Sequence, residues 1–330
     1  MNPRFVAPLA LLLLASFCVS NPLPAASAQV IPEANVALWR STSAEHVYGF
    51  PDMKPHTKGT LTLSADALTF AGKPGNISIP RSSLTAVSAG DQRVELWGVK
   101  GRILRAVIPE GGGLVAATFM HHRVDLLTVE FSDVRGGSHG AVFLLPANEA
   151  ALALQSFVQT PISPRKPSEA SCRNAPIEPK SVLVSAPDWD QAAVPAAYRA
   201  LVYEHVIDRL QHAKDAGHVY RDGEGNGHAA CPQYIVHISI AAFKQGSQVQ
   251  RAFLGPAGMF VGTTQMTFET TLTDASGKLN LQEQVKATMR GESESTDVTD
   301  KVAKTLAKHY AAAVKSNKSG APVADGAPAS

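Results

Sequence analysis

Gly59-Thr-Leu-Thr-Leu-Ser-Ala-Asp-Ala-Leu-Thr-Phe70 carries the clearest structural signal in the chain. Leu61 and Leu63 alternate with Thr60, Thr62 and Ser64, the period of two that gives a strand one apolar face. Ala65-Asp66 interrupts the pattern and Ala67-Leu-Thr-Phe70 resumes it, which predicts a tight hairpin. Asn76-Ile-Ser-Ile-Pro80 alternates again. Further strands are expected over 84–88, 93–97, 101–108, 114–121, 123–131 and 139–145, with Gly136-Gly137 as the turn between the last two. Pro146-Ala-Asn-Glu149 then opens a helix holding Ala150, Leu152, Ala153, Leu154, Phe157 and Val158, with Pro146 suited to the first helical position. Many short antiparallel strands and one closing helix imply a small β-barrel or sandwich plugged by that helix.

Between Thr160 and Pro179 prolines fall at 161, 164, 167, 176 and 179. Repeated proline denies both helix continuation and ladder hydrogen bonds, so 159–180 reads as a linker. Beyond it the elements alternate. Ser181-Val-Leu-Val-Ser185 is a strand. A helix over 194–214 shows Tyr198, Leu201, Val202, Val206 and Leu210 on one stripe, with Gly217 placed as its C-terminal cap. Tyr234–Phe243 reads as a buried strand, Thr263–Thr273 and 278–289 as a hairpin around Asp274-Ala-Ser-Gly277, and 297–314 as a last helix. This order predicts a second α/β sandwich over 181–314, with helices packed on a mixed sheet. Residues 315–330 lack apolar periodicity and read as a disordered tail. The fold class expected for the whole is α+β.

The first 28 residues form a separate signal. Arg4 precedes an apolar run from Phe5 to Val19, and Ala26-Ser27-Ala28 supplies the small residues of a signal-peptidase site. The run is shorter than the roughly 20 apolar residues of a spanning helix and ends in prolines. Cleavage before Gln29 is expected, and with it export to the periplasm or beyond. Bulky Phe17 before Cys18 argues against lipid modification. Removing this segment takes the formal charge from +2 to +1. Such a chain has no basic footprint for nucleic acid and no polybasic run for anionic lipid. No later stretch reaches membrane-spanning length.

Of three cysteines, Cys172 and Cys231 remain after export. In an oxidising compartment this even pair is a disulfide candidate, the alternative being two free thiols. A bridge would close a loop of about 60 residues, worth roughly 4 kcal/mol in the chain-entropy model. Neither belongs to a C-x-x-C pair, so redox catalysis has no support.

The stretch from Gly59 to Phe70, with Ile77-Ser-Ile-Pro-Arg-Ser-Ser-Leu-Thr-Ala-Val87, resembles the opening of a pleckstrin-homology-like or GRAM-like domain. Leu126-Leu-Thr-Val-Glu-Phe-Ser-Asp133, Ala141-Val-Phe-Leu-Leu145 and the helix after them follow in the same order, so the resemblance covers about 45–158. It implies a fold that serves lipid, peptide and protein binding. Tyr234-Ile-Val-His-Ile-Ser-Ile-Ala-Ala-Phe243, Gly246-Ser-Gln-Val-Gln-Arg-Ala-Phe-Leu-Gly255 and Leu272-Thr-Asp-Ala-Ser-Gly-Lys278 resemble bacterial secreted proteins and lipoproteins carrying domain of unknown function 4410, distantly similar to periplasmic lipoproteins of the curli-secretion-channel type. That match covers about 180–313 and implies location and fold rather than chemistry. Pro256-Ala-Gly-Met-Phe260 departs from the family's Gly/Ala-rich segment.

The chemistry-bearing residues do not converge on a motif. Adjacent strand residues face opposite ways, so His121 and His122, even with Asp125, do not ligate one ion without a bulge; they read as exposed residues at a strand-to-strand turn. His205 and His212 stand two helical turns apart, about 10 Å, and with His218 read as a solvated helix face. Asp222, Glu224, Asn226 and His228 alternate with glycine, but the twelfth position of a calcium loop begun at Asp222 is Gln233, so a plain loop is expected. Ser138-His139 is no nucleophile–base pair without a third orienting group. Glu292, Glu294 and Asp297 suit the dipole of the last helix better than general-acid work. No catalytic, cofactor-binding or metal residue is assigned. The interaction loop expected is Phe253, Leu254, Met259, Phe260 and Val261, a Gly/Pro-interrupted apolar stretch of the kind that marks a partner site when exposed. Its alternative is a wide hairpin folded on the core. Three functions follow: an exported envelope module binding a protein or peptide, or self-associating; a periplasmic carrier of a small ligand or lipid; and a divergent hydrolase built where His121, His122 or His139 meets a Ser or acid.

Overall fold

The computed structural model describes residues 37–50, 52–73, 75–95, 121–158, 176–187, 194–214, 216–224, 231–244, 263–275, 279–289 and 298–318. The leader, residues 159–175 of the linker with Cys172, the strands expected over 101–120, the Phe253–Val261 loop, the acids Glu292, Glu294 and Asp297, and residues 319–330 lie outside them.

The protein is mixed α+β, with most described residues in strands of two sheets and three helices beside them. The first sheet holds β1 (Trp39–Tyr48), β2 (Thr57–Leu63), β3 (Ala67–Gly72), β4 (Asn76–Pro80), β5 (Leu84–Glu95), β6 (His121–Ser132) and β7 (Ser138–Pro146), ordered β4-β3-β2-β1-β7-β6-β5. Its described pairings are antiparallel and do not close into a barrel. The hairpin of the opening stretch sets Leu63 opposite Leu68 and Leu61 opposite Phe70. The Ser64 hydroxyl accepts the Ala67 amide across its turn. Two expected strands merge into the single β5. Helix α1 (Glu149–Val158) buries Ala150, Ala153 and Phe157 at helical spacing over the core of Leu61, Leu63, Phe70, Leu127 and Phe143. Leu152, on the opposite side of the helix, is exposed. Pro146 ends β7 rather than opening the helix, because Asn148 at φ 72° breaks the chain direction between them.

The second sheet is ordered β12-β11-β10-β8-β9 from β8 (Ile177–Val184), β9 (Val219–Arg221), β10 (Cys231–Lys244), β11 (Thr264–Asp274) and β12 (Asn280–Met289). It is mixed: β8 runs parallel to β9 and β10, and the remaining pairs are antiparallel. β8 begins inside the expected linker, since the Cys231 amide donates to the Pro176 carbonyl and draws Ile177 into the ladder. Helices α2 (Ala196–Gln211) and α3 (Val298–Lys318) cover the face of Val236, Ile238, Phe268 and Val285. α2 stops at Gln211 with His212 as its cap; Gly217 donates to the Lys180 carbonyl and caps nothing.

The described residues form one compact unit, and α2 is the reason. One stripe, with Tyr198, Val202, Val206 and Leu210, faces the second sheet. A second stripe, Ala197, Ala200 and Leu201, packs on Val47, Leu126 and Val142 of the first. A helix apolar on both sides is buried between layers. Gly140 permits the approach, because a Cβ there would lie 2.7 Å from the Ala200 Cβ. None of the helices is long and apolar enough, among the described residues, to cross a membrane.

Candidate functional site

Glu204 continues the second stripe of α2, buried, with its carboxylate turned toward the first sheet. Oε1 accepts the Gly140 amide at 2.9 Å and Arg221 Nη1 at 2.9 Å; Oε2 accepts Nη2 at 2.9 Å. Arg221 ends β9 and also donates from Nη1 to the Ser138 carbonyl at 2.9 Å. Its own amide donates to Glu224, and its guanidinium lies over the Tyr203 ring. Burial works against the Arg221 charge, but the facing Glu204 carboxylate outweighs it and raises the pKa. The Ser138 amide donates to the Asp222 carbonyl at 2.9 Å, which ties the start of β7 to the residue after β9. This fully paired fork fastens the two sheets together across α2. The segment Arg221–Glu224, expected to open a plain loop, is therefore anchored: Arg221 and Glu224 are buried, and Asp222 accepts the Ala186 amide.

His139 lies beside the fork. Nε2 stands 3.2 Å from Asp133 Oδ2 and Nδ1 3.9 Å from Glu204 Oε1, while the ring stacks on Phe131. Asp133 is the orienting group that Ser138-His139 lacked in sequence, and its Oδ1 accepts the Arg135 and Gly137 amides. Burial lowers the His139 pKa, helped by Arg221. The Ser138 hydroxyl is buried and makes no hydrogen bond, so it is not poised on the imidazole. Asp125, expected at an exposed turn, is buried inside β6 and accepts the Ala150 amide in the first turn of α1, where the helix dipole favours an anion. His121 and His122 lie at the start of β6, opposite Glu95 and Val94.

On the other side of Glu204 a cleft of about 790 Å³ opens between the segment leaving β1 and the outer face of α2. Tyr48, Phe50, Met53 and Lys54 form one wall; His205, Asp208, Arg209 and His212 form the other, with Asp300 of α3 at the end. The walls touch where the Tyr48 ring meets His205, centroids 4.1 Å apart. His205 therefore does not share a solvated face with His212. Its Nδ1 lies 2.9 Å from Thr299 Oγ1, and burial lowers its pKa to about 4. Burial, and then the Asp208 carboxylate it bonds, raise the Tyr48 pKa. Three pairs of lining groups face one another: Arg209 Nη2 and Asp300 Oδ1 at 2.7 Å, His212 and Asp208 Oδ1 at 3.3 Å, and Arg221 and Glu204, while Asp52 and Lys54 also line the cleft. No group of three or more His, Cys, Asp or Glu side chains suited to a metal ion occurs among the described residues.

Cys231 is buried at the start of β10 and forms no disulfide among the described residues. Sequence reasoning did not reach Glu204, Arg221 or Tyr48. A signal for Glu204 existed: Ala197, Ala200, Leu201 and Glu204 recur at helical spacing as a second stripe on α2.

No family model matches the sequence, and no curated protein matches it significantly. Among solved structures, a PelC dodecamer from Paraburkholderia phytofirmans is similar at 15% identity, covering 40% of this chain and 90% of that one, with a TM-score of 0.26. An uncharacterised protein is similar at 11% identity, covering 43% and 94%, with a TM-score of 0.25. Likenesses at such scores carry no argument about fold or role.

Proposed function

We propose that this chain is a non-catalytic, exported envelope protein that binds a protein or peptide partner, or assembles with it, through the cleft between β1 and α2. One observation carries the reading: the cleft is built jointly by elements of both sheets, and three pairs of its polar and charged groups face one another beside aromatic side chains. Matched charges beside aromatic and aliphatic side chains suit recognition. Among the described residues, the paired groups are engaged with one another rather than free for bond-making. His139 does have an acid beside it, but both ring nitrogens face carboxylates and the nearest hydroxyl is unengaged.

The family readings belong to the same proposal. A meander closed by α1 over 45–158 supports a pleckstrin-homology-like or GRAM-like first module. A mixed sheet covered by α2 and α3 supports kinship of the second module with domain of unknown function 4410. Export rests on the leader pattern of the first 28 residues. A carrier of a small ligand or lipid is the second reading, favoured by a cleft volume within the roughly 300–1,000 Å³ of ligand sites.

Native mass spectrometry of protein taken from the envelope tests the proposal, with a Lys54→Glu/Arg209→Glu variant beside it. The expected result is a polypeptide partner on the parent chain, lost from the variant. A small-mass adduct in place of a polypeptide would transfer the assignment to the carrier, and a partner retained by the variant would remove the cleft from the account.

A further inference from the structure

The cleft wall that leaves β1 is tied to the first sheet by one buried side chain. His46 has no solvent exposure and lies among the rings of Phe50, Phe70 and Phe143. The Phe50 amide donates to Nε2 at 3.3 Å, and Nδ1 stands 3.5 Å from the Lys54 carbonyl. A backbone amide only donates, so Nε2 must hold its lone pair and the single ring proton must sit on Nδ1, aimed at Lys54. The neutral imidazole thus clasps both ends of the turn 50–54. Phe50 stacks on the ring at 4.9 Å, and Phe50 and Met53 are buried beneath the turn.

We propose that His46 is a proton-operated latch on the cleft: neutral, it holds the 50–54 wall against the sheet, and protonated, it releases that wall and exposes Phe50 and Met53. A second proton has one place to go, Nε2, where it meets the Phe50 N–H head-on. It also puts an unsolvated charge among three rings. The groups facing His46 do not offset this. From β2 its register partner is Thr57, from β3 it meets Phe70 and from β7 Phe143. The charged group acting on it from the turn is His56, itself a cation when protonated and held by Glu45 at 2.9 Å. Burial, the largest influence, and then His56 lower the His46 pKa, while the Lys54 and Tyr48 carbonyls oppose them; it stands at about 4 against an ordinary 6.5. Opening returns the ring to water and to its ordinary affinity for a proton, so acid favours the open wall. The consequence for partner binding rests on the proposed role of the cleft; the latch itself does not.

Amide hydrogen exchange on the full chain at pH 7 and pH 4, corrected for intrinsic rates, tests the latch without a partner. The Phe50 and Met53 amides are expected to lose protection by about a hundredfold in acid, while Leu61 and Phe143 in the sheet, which exchange only by global unfolding, stay far better protected at both pH values. In His46→Gln, which retains an acceptor and a donor but does not titrate, protection of the turn should be equal at both pH values. Protection of the wild-type turn that ignores pH, or a His46→Gln turn that opens in acid like the parent, overturns the proposal. Should the variant fail to fold, imidazole ¹⁵N shifts of the parent decide it: an Nδ1–H tautomer with a midpoint near 4 supports the latch, and an Nε2–H tautomer or a midpoint near the ordinary 6.5 overturns it. A latch that fails leaves the binding reading to the mass measurement, and a missing partner leaves the latch standing.

Discussion

Arg81 holds three pieces of the first core together. Its amide donates to the Asp66 carbonyl in the β2–β3 turn, Nη1 to the Ser64 carbonyl at 3.2 Å, and Nη2 to the Phe157 carbonyl at 3.2 Å. The last of these lies at the C-terminal end of α1, where the dipole favours a cation. Arg81→Ala should cost about 2–4 kcal/mol in urea unfolding, since two hydrogen bonds from a charged group vanish and buried carbonyls lose their donors. A change within about 0.5 kcal/mol, typical of a free surface residue, would contradict this role. His205 makes the residue-scale prediction for pH. It stays neutral in the fold down to about pH 4, whereas in the unfolded chain it charges below about 6.5. Between those values the unfolded chain binds the extra proton, so stability falls as pH falls across that window and not below it. The loss is at most about 3 kcal/mol. Urea midpoints from pH 7 to pH 4 should show the slope, and His205→Phe should flatten it; an unchanged slope in the variant contradicts the assignment.

At the scale of elements, α2 decides the fold, because it is shared by two sheets. The Glu204–Arg221 fork is its polar fastening, and breaking one side leaves a buried charge. Arg221→Ala or Glu204→Ala alone should therefore destabilise by about 3–5 kcal/mol. A Glu204→Leu/Arg221→Met pair should recover much of that loss, short of what the Gly140 amide and Ser138 carbonyl forgo. Equal losses in the single variants and the pair would mean that no buried charge was stranded. Elements were legible where alternation was clean, as in β2, β3, β4 and the β11–β12 hairpin. β1 was not, because register shifts between Ser41 and Ala44 and between His46 and Tyr48 break its period of two. α2 was legible as a helix but not as a shared one, since Ala197 and Ala200 mark a weak stripe. The fork was hidden for a different reason: Glu204 and Arg221 are 17 residues apart and meet only through the parallel pairing of β8 with β9.

For the whole molecule, the proline-rich stretch reads as a boundary between two modules, and among the described residues α2 packs on both sheets. The candidate site arises from that packing: its walls come from segments far apart in sequence, with Tyr48, Phe50, Met53 and Lys54 on one side and His205, Asp208, Arg209 and Asp300 on the other. Sequence periodicity reports faces of single elements, and a cleft between elements has no periodic signature. Of the histidines read as solvated, His205 lies where the two walls meet, while His212 and His218 are exposed. Photo-crosslinking in the envelope tests most directly whether this cleft is where the protein does its work. A photoreactive residue is placed at Lys54, at Gln211, or at exposed Leu152 on α1 as the control. The account predicts a polypeptide adduct of one mass from Lys54 and Gln211 and none from Leu152. Adducts from Leu152 alone, or no polypeptide adduct from either cleft position, would contradict it.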